Sequence, residues 1–182
     1  ELQELVRRVV QAQELFLVLG PPGTGKTSHV MMSILREELL RPDTRILLTA
    51  FTHRAVNEMA SKVHAAGIDF LYIASELVVP TELHPYLLSR RVATARSVEE
   101  MRAVLKAVRV VCINVSALAA QLVLLESLHF SLAIVDEASQ LLEVQLLPLL
   151  CANEAEGRMP IERFVLIGDH KQLPAIAQQD AQ

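Results

Sequence analysis

Residues Gly20 to Thr27 read GPPGTGKT and follow directly on the apolar run Leu15-Phe16-Leu17-Val18-Leu19. An apolar run, a glycine-dense octet and then a stretch of helical spacing restrict this part of the chain to a strand, a tight loop and a helix. Gly20, Gly23 and Gly25 leave room for backbone N–H groups to turn inward around an anion, where side chains would block the approach. The following helix adds donors and the positive end of its dipole at the same point. Such a loop holds the phosphate tail of a nucleoside triphosphate. Gly20, Pro21, Pro22, Gly23, Thr24 and Gly25 form the expected turn, and Lys26, Thr27 and Ser28 open the helix. Lys26 is placed to reach the β and γ phosphates, and the Thr27 hydroxyl to ligate Mg²⁺.

A chain of 182 residues is expected to form one domain around a single core. Its 52% hydrophobic content falls in short β-rich runs alternating with helical patterns. That distribution predicts an α/β fold with a buried parallel sheet, not a membrane protein, since no apolar run approaches a bilayer span. The polar, charged start from Glu1 to Gln13 predicts neither a leader nor a membrane anchor, and two cysteines, Cys112 and Cys151, suit the core of an intracellular protein. Strands are predicted at Leu15 to Leu19, Ile46 to Ala50, Phe70 to Ala74, Val108 to Ile113, Leu132 to Val135 and Phe164 to Ile167. Helices are predicted at Lys26 to Leu39, Ala55 to Ala65, Val98 to Val108, Ala117 to Leu125 and Leu141 to Leu150, the last nearly apolar all round. Between them, Ser75 to Arg102 breaks the rhythm with Pro80 and Pro85, and a helical insertion is placed at about 75–107, with Ser97 and Glu100 as a capping box. Gly157 to Pro160 marks a loop before the last strand.

Right-handed crossovers in such a sheet bring ligand-binding loops to the carboxyl ends of the strands. Two further segments begin there. Leu132-Ala133-Ile134-Val135-Asp136-Glu137 is an apolar strand ending in adjacent carboxylates, which the turning chain can aim together at the phosphate loop. Asp136 would hold Mg²⁺ through water, and Glu137 would orient or deprotonate an attacking water. Gly168-Asp169-His170-Lys171-Gln172 follows the last strand; its amide can contact a γ phosphate and a water together, although the same residues also make an ordinary polar turn. Net charge is −4 and tryptophan is absent, so neither a basic stripe nor a broad stacking platform is present. Strand binding through amides, hydroxyls and a few basic side chains remains open.

These residues together resemble superfamily 1 helicases, and within them the group that includes the nonsense-mediated decay RNA helicase and the helicase-nuclease of Okazaki-fragment processing. GPPGTGKT looks like motif I, Asp136-Glu137-Ala138-Ser139-Gln140 like motif II, and GDHKQLPA from Gly168 to Ala175 like motif III. Ala50-Phe51-Thr52-His53-Arg54-Ala55-Val56-Asn57 is similar to motif Ia, which in the family grips a nucleic-acid backbone. Gln3 stands at the family's distance for the glutamine that reads adenine. The resemblance runs from about Gln3 to Ala175, and within the insertion Leu83-His84-Pro85-Tyr86 and Ser97 to Val111 look more like the DNA branch than the RNA branch. One position departs from the pattern: after Val110-Val111 the family usually has Thr, where this chain has Asn114.

The resemblance implies a RecA-like P-loop domain that uses ATP and Mg²⁺, with Lys26, Glu137 and Gln172 catalytic and Thr27 and Asp136 at the metal. Thr52, His53 and Asn114 are implied to hold single-stranded nucleic acid, DNA in preference to RNA. It also implies a second RecA-like domain as partner, which nothing after Ala175 is long enough to supply. The second domain's arginines are worth about 10³ to 10⁵ in turnover in related systems, so this chain alone is expected to hydrolyse ATP feebly and not to unwind a duplex. A nucleotide switch without motor activity is the alternative reading, opposed by the base Glu137. A P-loop kinase is opposed by the lack of an arginine-rich lid beyond Arg90 and Arg91.

Overall fold

Strand residues that alternate between two apolar faces make one parallel sheet here, in the order Leu15–Leu19, Phe164–Gly168, Leu132–Asp136, Ile46–Ala50, Val110–Asn114 and Leu71–Ile73. The structure is a computed structural model and describes residues 2–20, 26–120, 128–146 and 161–169, with backbone alone at 26–28 and 119. The strands are β1 (Leu15–Leu19), β2 (Ile46–Ala50), β3 (Leu71–Ile73), β4 (Val110–Asn114), β5 (Leu132–Asp136) and β6 (Phe164–Gly168). The helices are α1 (Leu2–Gln11), α2 (Met32–Leu39), α3 (His53–Ala65), α4 (Leu88–Arg91), α5 (Val98–Ala107) and α6 (Val115–Ala120). Several expectations lie outside the described residues: the turn at 21–25, the ends of the helices predicted to reach Leu125 and Leu150, Cys151, the loop from Gly157 to Pro160, and the segment holding His170 and Gln172.

Ile46, Leu48 and Ala50 of β2, with Val110 and Cys112 of β4 and Leu132 and Ile134 of β5, face a core shared with α1, α2 and α3. Their neighbours Leu47, Val111, Ile113 and Ala133 face a second core with Leu118 of α6, Leu128 and Phe130. Burial on both faces is why these strands read as unbroken apolar runs. β1 departs from that expectation: it is an outer strand, and Leu15, Leu17 and Leu19 are exposed on one of its faces.

Three strands run one residue beyond their last apolar side chain, to Asn114, Asp136 and Gly168, because a parallel ladder pairs backbone whatever the side chain is. The strand expected at Phe70 to Ala74 is shorter, Leu71–Ile73. The helix expected from Lys26 starts as a wide π turn, Lys26–Met31, before α2. Helix α3 begins two residues earlier than predicted because Thr52 caps it, accepting from the Ala55 N–H at 3.1 Å. The helical residues after Leu141 start at 143, where the Gln145 amide oxygen accepts from the Leu142 N–H.

Helix α1 was not anticipated, since its charges mask a stripe in which Val6 and Val9 are buried against α2. The insertion is a run of short turns, Glu76–Val78 and Thr81–Tyr86, followed by α4 and α5. Leu83 and Leu87 bury themselves in the first core, and Tyr86 stacks on Phe70 at 4.1 Å. Ser97 caps α5 as expected, but Glu100 accepts from the Arg96 N–H, one residue before the position a capping box uses. No helix among the described residues is long and apolar enough to cross a membrane.

The amino ends of the strands are closed by arginines. Arg45 donates to the Val108 carbonyl at 3.2 Å, and Arg109 to those of Thr44 and Leu39 at 3.0 Å each. Arg163, at the entry to β6, pairs at 2.7 Å with Glu38 of α2, whose side chain is 1% exposed, and also donates to Val10 of α1. Removing one member of a buried pair leaves the other charge uncompensated. Glu38→Ala is therefore expected to lower the stability of the folded chain by about 3 kcal/mol, read from the shift of a urea denaturation midpoint at constant slope.

Candidate functional site

The strand register draws the candidate residues to one rim. Leu19 pairs with Gly168, Ala50 pairs with Asp136 on one side and with Asn114 on the other, and Val135 pairs with Leu166. The phosphate-loop strand, the strand bearing Gly168 and the acidic strand are thus consecutive in the sheet, with β6 between the other two. The Gly20 N–H donates to the Gly168 carbonyl at 3.3 Å, tying the start of the loop to the exit of β6.

Asp136 is 7% exposed at the end of β5, and its Oδ1 accepts from the Glu137 N–H at 2.9 Å. Glu137 is the only non-glycine residue at positive φ among the described residues, with φ 54° and ψ 30°. That conformation costs about 1 to 2 kcal/mol for an L-residue and persists only where its surroundings over-determine it. Three hydrogen bonds do so: the N–H to Asp136, the carbonyl accepting from the Gln140 N–H at 2.9 Å, and the carboxylate accepting from the Thr52 hydroxyl at 2.8 Å. The left-handed turn is what swings Glu137 out of the ladder.

Thr52 and Asn114 were expected to face a nucleic-acid strand. Thr52 sits two residues beyond β2 and uses its hydroxyl twice, capping α3 and donating to Glu137. Asn114 is 4% exposed, and its amide donates to the carbonyls of Ala50 and Phe51 at 3.2 and 2.6 Å while its oxygen accepts from the Ser116 N–H. In this geometry Asn114 grips the exit of β2. His53 opens α3 and is exposed. Gln3 lies in the first turn of α1, exposed, on a groove shared with Val6, Ser33 and Arg36. The side chains of Lys26, Thr27 and Ser28, the loop at 21–25 and Gln172 lie outside the described residues.

Two participants carried no functional expectation. Ser139 accepts from the Asp169 N–H at 3.2 Å, and its backbone nitrogen would lie 3.0 Å from a Cβ placed on Gly168, so the acidic turn and the exit of β6 are in contact. Asn57 donates to the Val78 carbonyl at 2.8 Å and accepts from the Tyr72 hydroxyl at 2.5 Å, which ties α3 to the insertion. Burial pushes the Tyr72 phenol up, with a smaller contribution from Cys112. Burial likewise raises the Cys112 thiol, which makes it an unreactive core residue. Both Asn57 and Ser139 stand inside the quoted motifs, which is the one signal that could have marked them.

Residues 3–178 match the AAA domain family. The DNA replication ATP-dependent helicase/nuclease of Arabidopsis thaliana is 34% identical over 180 residues, covering 97% of this chain and 12% of that protein. Its namesake in Saccharomyces cerevisiae is 31% identical over 180 residues, covering 98% of this chain and 11% of that protein. The chain thus spans about an eighth or less of the length of these relatives. Among solved structures, the UvsW helicase of bacteriophage T4 superposes with a TM-score of 0.61 at 14% identity, covering 92% of this chain and 51% of that one. Arterivirus nonstructural protein 10, a helicase in complex with DNA, gives 0.56 at 18% identity, covering 96% and 33%. The chain belongs to the AAA domain family, and its parallel sheet flanked by helices is a RecA-like fold.

Gly168→Ala places its methyl group against the Ser139 backbone, which a flexible side chain cannot relieve. It is expected to cost about 1 to 3 kcal/mol in denaturant titration. Asn114→Ala leaves the Ala50 and Phe51 carbonyls without their buried donor, and a loss of about 1 to 3 kcal/mol is expected from the same measurement.

Proposed function

We propose that this domain binds ATP with Mg²⁺ at the carboxyl rim and, joined to a second RecA-like domain, hydrolyses it to drive movement along single-stranded nucleic acid inside the cell. The register that sets Leu19, Gly168 and Asp136 on one rim, with Glu137 turned out beside them, is the observation that carries this reading. The relatives named for DNA replication support DNA over RNA as the strand. Separated from its second domain, the chain retains nucleotide binding but turns over slowly, because the arginines that stabilise the transition state come from the other side of the cleft.

Oxygen donors suit a hard cation. The Thr27 hydroxyl and the buried Asp136 carboxylate would hold Mg²⁺, which would neutralise the charge that develops on phosphate oxygens. Gly20 to Ser28 wrap the phosphates, Lys26 reaches the β and γ groups, and Gln3 takes the adenine edge. Glu137 accepts a proton from the attacking water at its carboxylate, and Gln172 orients that water while touching the γ phosphate. Thr52 and His53 hold the backbone of the strand without reading its sequence, and Asn114 keeps the exit of β2 in place beneath them.

Two substitutions separate binding from chemistry. Lys26→Ala is expected to abolish tight nucleotide binding in a fluorescent-nucleotide titration. Glu137→Gln is expected to keep that binding and lower phosphate release by about 10² to 10⁴. Equal affinity and equal turnover in the two variants would overturn the assignment.

A further inference from the structure

We infer that the groove between α3 and the turn Glu76–Val78 takes the nucleotides next to those held at the rim, with Leu77 as the side chain that lies against a base. The inference rests on the proposed function, in which Thr52 and His53 hold a single strand, and extends that track beyond them.

The turn starts three residues after β3, so it stands at the same carboxyl rim as Thr52, with β4 between β3 and β2 in the sheet. A groove of about 700 Å³ runs between the turn and α3. One of its walls carries His53, Arg54, Ser61 and Lys62, and the other is made by Val78 and Pro80. Donors on one side and apolar surface on the other match a nucleotide, which joins an anionic phosphodiester to a flat base. Glu58, the acid among the lining residues, already pairs with Arg54 at 3.2 Å, whereas Lys62 makes no ion pair among the described residues. The cation left over suits a phosphate.

Leu77 is 95% exposed, more than any other large apolar side chain among the described residues. An exposed leucine alone signals little, because much of any protein surface is apolar. This one is presented by a backbone fixed from several directions. Ser75 Oγ accepts from the Leu77 N–H at 3.3 Å, and the Val78 N–H donates to the Ser75 carbonyl at 3.2 Å. Asn57 of α3 donates to the Val78 carbonyl at 2.8 Å, Arg90 pairs with Glu76, and Val79 is buried with its carbonyl held by His84 at 3.0 Å. A turn ordered in advance loses little entropy when a ligand arrives. Leucine and proline are among the side chains that press between bases in nucleic-acid complexes. Leu77, one residue before Val78, adds such a surface beside the apolar wall.

The test uses the intact protein with a nonhydrolysable ATP analogue and a series of fluorescein-labelled oligothymidylates lengthened one nucleotide at a time, read by anisotropy. Wild-type affinity is expected to rise with length as the added nucleotides reach the groove. Leu77→Ala, at a position too exposed to affect folding, is expected to weaken the longer oligomers about three- to tenfold and to leave the shortest unchanged. Making the added nucleotides abasic removes that difference. Lys62→Ala also weakens the longer oligomers and flattens the slope of log K against log salt by about 0.7, the share of one phosphate contact on a single strand. Equal affinity of wild type and both variants for every oligomer would sink the inference while leaving the rim assignment standing. So would a loss in Leu77→Ala that is the same at all lengths or persists on abasic chains. Failure of the wild type to bind any oligomer would instead remove the proposed function, and this inference with it.

Discussion

The parallel register of the sheet is the constraint on which the rest of this domain depends. Side chains on a strand alternate with a period of two, so a slip of one residue in β5 would turn Asp136 to the opposite face and pull Glu137 into the ladder. Burial of β2, β4 and β5 on both faces opposes such slippage, because a one-residue misregistration would exchange the contents of two different cores. Pairing of Ala50 with both Asn114 and Asp136, and of Leu19 with Gly168, follows from that locking. The rim is therefore assembled by buried apolar residues beneath it.

The two rims of the sheet differ in kind. At the amino ends, Arg45, Arg109 and Arg163 donate to carbonyls and to Glu38, joining α1, α2 and three strands into a closed polar seam. Burial pulls the Arg45 guanidinium downward, though an arginine this far from neutrality keeps its charge. At the carboxyl ends the chain holds the strain of Glu137, a glycine packed tightly against the Ser139 backbone, and polar side chains that end apolar strands. Strain of this kind is tolerated where a rigid sheet supplies the support, and it belongs where geometry must be kept ready for chemistry.

Much of this was legible beforehand. Strand and helix alternation, the acidic pair and the phosphate-loop spelling each follow from local composition, which is why the predicted strands correspond to observed ones with bounds shifted by a residue or two. Misses share a cause. Helix α1 hides its two buried valines among charges, and the exposed face of β1 follows from its place at the sheet's edge, which no local pattern records. The hold of Asn114, implied by the resemblance to contact a strand, on the carbonyls of Ala50 and Phe51 went unforeseen, because only the sheet order sets β4 beside β2. The contact of Ser139 with β6 is invisible for the same reason: thirty residues separate it from Asp169.

Residue order alone determined the chemical vocabulary of this protein: a glycine-dense octet spelled GPPGTGKT, two carboxylates ending an apolar strand, a capped helix after Thr52. Those features are set by steric freedom, charge and period within a few neighbouring positions. Which of them meet was decided by the tertiary structure. Thr52 and Glu137 are 85 residues apart and carry no mutual signal, yet a hydrogen bond joins them, because parallel pairing of β2 with β5 and one left-handed backbone turn bring a hydroxyl to a carboxylate.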